Sequence, residues 1–269
     1  MPIYQLDRRE IKAEARELIR TGSVSPIKMT LLLSGISIIL SLIESAVDAV
    51  SGGVISGGFS GISVFSLGSA SFVLAFVSIL VSLVLQVLSA GYTGYCLGIH
   101  RREYMPYASL FDAFSFAGKV ILLTIVQFVF VFLWSLLFVI PGIIASYRYA
   151  FAMMNLCRNP ELGVMEALEL SKRQTFGYKW QLFVLQLSFI GWSLLVLGIF
   201  LIYELLVAAL LPDSFLGIMF GSLLLSVLVL AAQLYLTPYV ELSVCGFYLR
   251  ATAQPEEPQL PQSDWSSEG

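Results

Sequence analysis

Lys119–Lys179 reads KVILLTIVQFVFVFLWSLLFVIPGIIASYRYAFAMMNLCRNPELGVMEALELSKRQTFGYK. Within it, Val120–Ile140 is 21 residues without a charge, long enough to cross a hydrocarbon core of about 30 Å as a helix. Pro141-Gly142 breaks the run, and a second apolar segment, Ile143–Cys157, carries the chain back towards Arg158. Asn159-Pro160 then predicts the start of a surface helix over Glu161–Thr175, with Gly177 beyond its end. Glu169 and Arg173 stand at i, i+4 on that helix. Lys179-Trp180 marks the next interface, a common place for tryptophan. Span, turn, return span and surface helix together predict an all-α, polytopic membrane protein.

Composition agrees. The chain is 58% hydrophobic and 12% charged, with a mean hydropathy of +0.86. Soluble domains hold about 45–50% apolar and about 25% charged residues. Several uncharged runs of this length have no place in a soluble fold, whereas a bilayer accepts them as helices. The net charge of −3 says little, because the charges are segregated along the chain. The charged first 20 residues are not the start of a secretory signal peptide. Cys96, Cys157 and Cys245 lie far apart in apolar segments and read as small buried hydrophobes, with no disulfide framework.

Residues 1–26 hold one helix, Asp7–Arg20, with an apolar stripe of Ile11, Ala15, Leu18 and Ile19. Arg9, Lys12, Arg16 and Arg20 make a basic stripe beside it. The helix reads as amphipathic and interfacial, held by its apolar face and by anionic headgroups. The alternative is a solvated helix packed on the protein's own cytoplasmic ends. Residues 27–250 form the membrane bundle, with spans at about 27–47, 69–99, 120–140, 143–157, 182–203 and 215–248. Residues 251–269, rich in proline and acid, read as a disordered tail.

Serines mark the first two spans: Ser34, Ser37 and Ser41 on one, Ser78 and Ser82 on the next. Small residues let helix backbones approach, and hydroxyls bond across helices, so these faces are expected to meet; a serine-lined polar pathway is the functional alternative. Gly94 with Gly98, and Gly217 with Gly221, are GxxxG pairs of the kind that pack helices. Pro238 predicts a kink in the last span.

Charge placement sets the span count. With six spans and both termini cytoplasmic, every basic residue except Arg148 lies in an inner segment, and the outer loops hold none. Removing the fourth span would put Arg148, Arg158, Lys172, Arg173, Lys179 and Arg250 outside. The positive-inside rule therefore selects six transmembrane helices. They fall into three hairpins, each preceded by a surface helix and a lysine, and each returning span carries a cysteine near its inner end. That regularity reads as a weak internal threefold repeat.

Three segments resemble a bacterial family of integral membrane proteins grouped as domain of unknown function 975: REIKAEARELIRTG at 9–22, FVIPGIIASYRYAFAMMNLCRNPELGVMEALELSKRQTFGYKWQLFVLQLSFIGWSLL at 138–195, and TPYVELSVCGFYL at 237–249. The resemblance runs over about Leu6–Arg250, and its central block is the specific part. It implies a multi-pass protein of the bacterial cytoplasmic membrane with an interfacial N-terminal helix. It carries over no catalytic residue, because no activity is established for the family. Met153-Met154 stands where a proline is often found in the family's returning span, and the acidic tail lies outside the family pattern.

Arg148 and Glu241 are the deepest charges, and intramembrane ionisable groups are costly and seldom idle. A pair between them reads either as a gate, an ion-coupled site or an anionic-substrate contact, or as a structural pair, or as an arginine snorkelling to the surface. Glu44, Asp48 and Glu204 lie near the outer ends and read as wet residues, or as an acidic vestibule. His100, without a partner at metal-ligand spacing, reads as an interfacial side chain. No HExxH, Walker or GxSxG motif is present, and nothing calls for a metal or cofactor. The basic stripe is too short and too interleaved with glutamates for nucleic acid. Transport, or a transport-accessory role through a polar intramembrane face, is the leading functional expectation. A non-catalytic scaffold organising lipids or partner proteins is the alternative, and a lipid-processing enzyme the third. The expected partners are anionic lipids, a second copy or another membrane protein.

Overall fold

The computed structural model describes residues 6–21, 25–50, 69–210 and 215–253. These residues are helical, without a strand among them. In chain order they form α1 (Arg8–Thr21), α2 (Pro26–Val50), α3 (Ser69–His100), a 3-10 helix (Tyr107–Phe116) and α4 (Ala117–Leu137). Then come α5 (Val139–Arg148), α6 (Ala152–Arg158), α7 (Val164–Gln174), α8 (Lys179–Leu210) and α9 (Phe215–Thr252). Residues 51–68, between the first two expected spans, and all but the first residues of the expected tail lie outside the described residues.

Five stretches are long and apolar enough to cross a membrane: Pro26–Val47, Ala75–His100, Tyr107–Leu137, Lys179–Val207 and Leu225–Thr252. Their large apolar side chains stay on the outside, among them Leu42, Phe76, Phe128, Leu136, Leu205 and Leu228. A soluble monomer rarely exposes a contiguous apolar patch beyond a few hundred Å². Lipid removes the penalty, and the chain has the make-up of a membrane protein. α9 runs unbroken through Pro238.

Burial gathers at the end of the bundle where α1 lies. The enclosed residues are Ile11 and Ala15 of α1, Met29 at the start of α2, and Leu88, Tyr92 and Tyr95 in the second half of α3. Leu182 and Leu185 of α8 join them, with Leu242, Phe247 and Tyr248 of α9. Packing of this aromatic kind is the main stabilising contact between helices, since lipid tails are as apolar as leucine and supply no hydrophobic drive of their own.

The segment after α4 is two short helices, α5 and α6, in place of one continuous fourth span. Phe138 is extended (φ −161°, ψ 150°) and turns the chain. Beyond it Gly142 lies so close to α4 that an added Cβ would sit 2.1 Å from Ser135 Oγ. Further along, the Phe130 and Tyr149 rings are 5.9 Å apart, and the Lys119 ammonium donates to the Pro160 carbonyl. These three contacts pair residues at a nearly constant register, so the return leg runs antiparallel along the whole of α4.

Tyr149–Phe151 unwinds between α5 and α6 without proline or glycine, and α7 holds the break. Ser171 Oγ donates to the Arg148 carbonyl at 3.0 Å and accepts the Phe151 N–H at 3.1 Å. Thr175 Oγ1 donates to the same carbonyl at 3.2 Å. Unwound backbone in an apolar setting needs such replacement partners.

α7 itself starts later than the Asn159-Pro160 signal predicts. Asn159 accepts the Glu161 N–H through Oδ1 (3.3 Å) and the Leu162 N–H through its carbonyl (3.2 Å), which makes a turn. The helix then opens at Gly163, whose N–H donates to the Glu166 carboxylate at 3.4 Å. Nor is α7 wholly a surface helix, because Ser171 and Thr175 are fully buried. Gly177 takes the left-handed conformation (φ 85°) in the turn to α8, the role its position predicts.

Candidate functional site

The strongest concentration of charge lies where α1 crosses the ends of α3, α8 and α9. α1 turns Ile11, Ala15 and Ile19 into the core, and that rotation sends its acids and bases to opposite sides. On the acidic side, Glu14 meets Arg250 at 2.9 Å and Glu10 meets it at 3.3 Å. His100 is sealed here too, its side chain 2% exposed. Its Nε2 bonds the Leu242 carbonyl at 2.8 Å, and its Nδ1 faces Glu14 at 3.4 Å. At this end of α3 the ring is covered by α1 and held between Glu14 and the Leu242 carbonyl.

The basic stripe divides. Lys12, half-buried, and Arg16, exposed, turn towards α8 and α9; Arg9 and Arg20 are exposed as well. The Lys12 ammonium donates to Ser188 Oγ at 2.6 Å and stands 4.3 Å from the centre of the Phe189 ring. Burial, and then the positive charges of Arg16 and Arg8, lower its pKa below the ordinary lysine value. The Arg16 guanidinium lies 5.6 Å from the Tyr239 ring centre and donates to the Tyr239 hydroxyl at 3.2 and 3.3 Å. A cation on an aromatic face is attracted by the ring quadrupole without being neutralised. Neither residue has a carboxylate partner among the described residues.

Arg148 and Glu241 are not brought together. Arg148 ends α5 with its Nε buried and without a hydrogen-bond partner, and the charged group facing it is Lys179. Glu241 lies on α9 beside Tyr92 and Cys245. The expected pair fails because the break after Arg148 hands that residue to α7 and α8, while Glu241 faces α3. Arg148 and Lys179 thus lie within electrostatic reach of one another, again with no carboxylate partner among the described residues.

The serine stripes form no shared polar face either. Ser37 donates to the Leu33 carbonyl, and Ser82 to those of Ser78 and Ile79, each within its own helix. Ser41, Ser78 and Ser82 are exposed, and Ser34 and Ser37 half-buried. The buried polar link between α2 and α3 is instead Thr30 with Tyr92, their oxygens 2.8 Å apart. Glu44 is half-buried and Gly217 and Gly221 lie on α9; the side chains of Asp48 and Glu204 are outside what the structure describes.

Close packing falls on a glycine the GxxxG template does not select. A Cβ on Gly94 would meet Cys157 Cβ at an ordinary 4.0 Å, and one on Gly98 would meet the movable Met105 thioether. At Gly91 it would sit 2.0 Å from the Leu110 carbonyl oxygen. The three cysteines are free and converge: the Cys96 and Cys245 thiols are hydrogen-bonded, and Cys157 lies near Cys245. Among the described residues, no group of three or more His, Cys, Asp or Glu side chains is arranged to hold a metal ion.

Comparison with known proteins agrees with the family resemblance. Residues 129–255 match the family model described as "Protein of unknown function (DUF975)". The match takes in the second half of α4, the broken return leg, α7, α8 and α9, which are the segments that hold Arg148, Lys179 and Tyr239. No curated protein and no solved structure matches the chain.

Proposed function

We propose that this chain is a six-span, non-catalytic membrane scaffold that gathers anionic lipid headgroups at the end of the bundle where α1 lies. One observation carries the reading. Lys12, Arg16, Arg148 and Lys179 stand on aromatic or apolar surroundings without carboxylate partners among the described residues, whereas Arg250 is paired twice. Cations left unneutralised beside lipid-facing helices suit phosphate headgroups, each contributing about 1 kcal/mol of attraction to an anionic leaflet. The scaffold reading gains over transport because the serines, Arg148 and Glu241 share no common polar face.

Six spans are supported by the return leg, which pairs with α4 from the turn at Phe138 back to Lys119, and by the convergence of the three cysteines. Under this topology α7 is cytoplasmic and the far end of α2 is outside. In a chain with Cys96, Cys157 and Cys245 replaced by Ser, single cysteines at the exposed Glu169 and at Ser51, which follows α2 in the sequence, test it with a membrane-impermeant thiol reagent on intact cells. Labelling is expected at Ser51→Cys alone. Labelling at Glu169→Cys would remove the fourth crossing.

The lipid role is tested by reconstituting the full chain in vesicles of phosphatidylcholine, with and without phosphatidylglycerol. A ligand that binds only the folded state raises its unfolding temperature, so the anionic vesicles are expected to raise Tm. The combined change of Lys12, Arg16, Arg148 and Lys179 to Gln is expected to erase most of the difference. Equal wild-type Tm values in the two vesicles would overturn the reading.

A further inference from the structure

Between α8 and α9 runs an open groove of about 630 Å³. Trp192 and Leu195 form one wall, and Leu228 and Ala232 the other. Its floor extends along α9 from Leu225 to Tyr239, about 21 Å at the rise of an α-helix. Arg16 and Tyr239 lie at one end, and among the described residues no Asp or Glu lines the groove. An apolar channel with a single cation at one end has the polarity of a lipid molecule.

Resting on the scaffold reading, we infer that this groove is a binding site for one anionic phospholipid, its phosphate on Arg16 and one acyl chain along α8 and α9. The guanidinium carries five N–H donors in a planar fork, and the two bonds to the Tyr239 hydroxyl leave donors for a phosphate. Arg–phosphate bonds of this type are charge-assisted and bidentate. Lys12, one turn along α1, adds a second positive charge near the headgroup. The groove is long enough for the chain, since a single leaflet is about 15 Å deep, half of a hydrocarbon core of about 30 Å. Phosphatidylcholine carries the same phosphate, but its quaternary ammonium would stand beside the charges of Arg16 and Lys12 and offset the attraction, so the site favours an anionic over a zwitterionic lipid.

Trp192 reports on the groove directly. A variant keeping it alone (Trp134, Trp180 and Trp265 changed to Phe) is reconstituted in vesicles containing acyl-brominated phosphatidylglycerol or phosphatidylcholine, and fluorescence quenching is followed. A second variant keeps only Trp134, which is exposed on α4 away from the groove. Half-quenching of Trp192 is expected at about a fivefold lower fraction of the anionic lipid, the ratio for one cation at a membrane surface. Trp134 is expected to show no headgroup preference. Arg16→Ala is expected to abolish the preference of Trp192, and Arg16→Lys to keep most of it.

Equal quenching of Trp192 by both lipids, or a preference that survives Arg16→Ala, would overturn the site. So would a Trp192 shielded from both lipids while Trp134 is quenched, since a second copy or another protein would then fill the groove. If Trp134 also escapes quenching, the membrane reading itself fails. A Tm rise in anionic vesicles without a Trp192 preference would keep the scaffold and discard only this site.

Discussion

Gly91→Ala is expected to lower the stability of the purified chain by about 3 kcal/mol, the upper part of the range for overpacking a close contact. The added methyl carbon would sit 2.0 Å from the Leu110 carbonyl oxygen and 2.8 Å from its carbonyl carbon. Both are backbone atoms, so no rotamer change makes room. The 3-10 helix has to lift off α3, and Leu110 and Ala113, both buried, lose their seat against Val87 and Ala90. Gly35 provides the opposite sign in the same experiment. It lies inside α2 with nothing within 4 Å of an added Cβ, and Gly→Ala in an open helix gains up to about 1 kcal/mol. Thermal unfolding in one detergent compares the two. A Gly91→Ala protein with wild-type Tm would mean that the 3-10 helix does not pack on α3 at this distance.

Gly91 also shows where sequence reading stops. The pattern Gly94-x-x-x-Gly98 predicts close packing because i, i+4 glycines let another helix approach. Here the partner is a short 3-10 segment reached through a loop, and it meets α3 one turn earlier. Ala90-Gly91 followed by Gly94 was the available signal, and only the path of the loop assigns it a partner. The helices themselves were legible, because length and hydropathy are local properties: α4 ends at Leu137, close to the expected break at Pro141-Gly142.

The charge pairing was not legible for a related reason. Arg148 and Glu241 are each the deepest charge of a returning segment, and burial argued that they should neutralise one another. A break in the return leg, with neither glycine nor proline to announce it, gives Arg148 to α8 instead. Arg9, Lys12, Arg16 and Arg20 share a stripe by spacing, and the structure divides it. Its division between the protein and the outside depended on which way Ile11, Ala15 and Ile19 face, and that is set by α9.

Ser171→Ala is expected to cost about 2–3 kcal/mol, because it removes both functions of one buried hydroxyl. Ser171 Oγ is the partner of the Phe151 N–H, and it shares the Arg148 carbonyl with Thr175. Phe151 is fully buried, so its N–H finds no water when the hydroxyl is gone. The carbonyl keeps one donor in the single variant. Adding Thr175→Val removes that donor too and is expected to deepen the loss. Thr175→Ser retains the hydroxyl and is expected to stay near wild type. The effect separates this clamp from ordinary core packing: a change of two hydroxyls, with little change in apolar area, moves the unfolding temperature substantially. The double variant is also expected to loosen α7, so that trypsin cuts faster at Lys172 and Arg173, both exposed. Wild-type Tm and cleavage rate in the double variant would mean that the unwound residues are satisfied elsewhere, and that α7 does not hold the return leg in its broken form. If the clamp stands, the placement of Arg148 beside Lys179 follows from it, since the same unwinding sets the direction in which α5 ends.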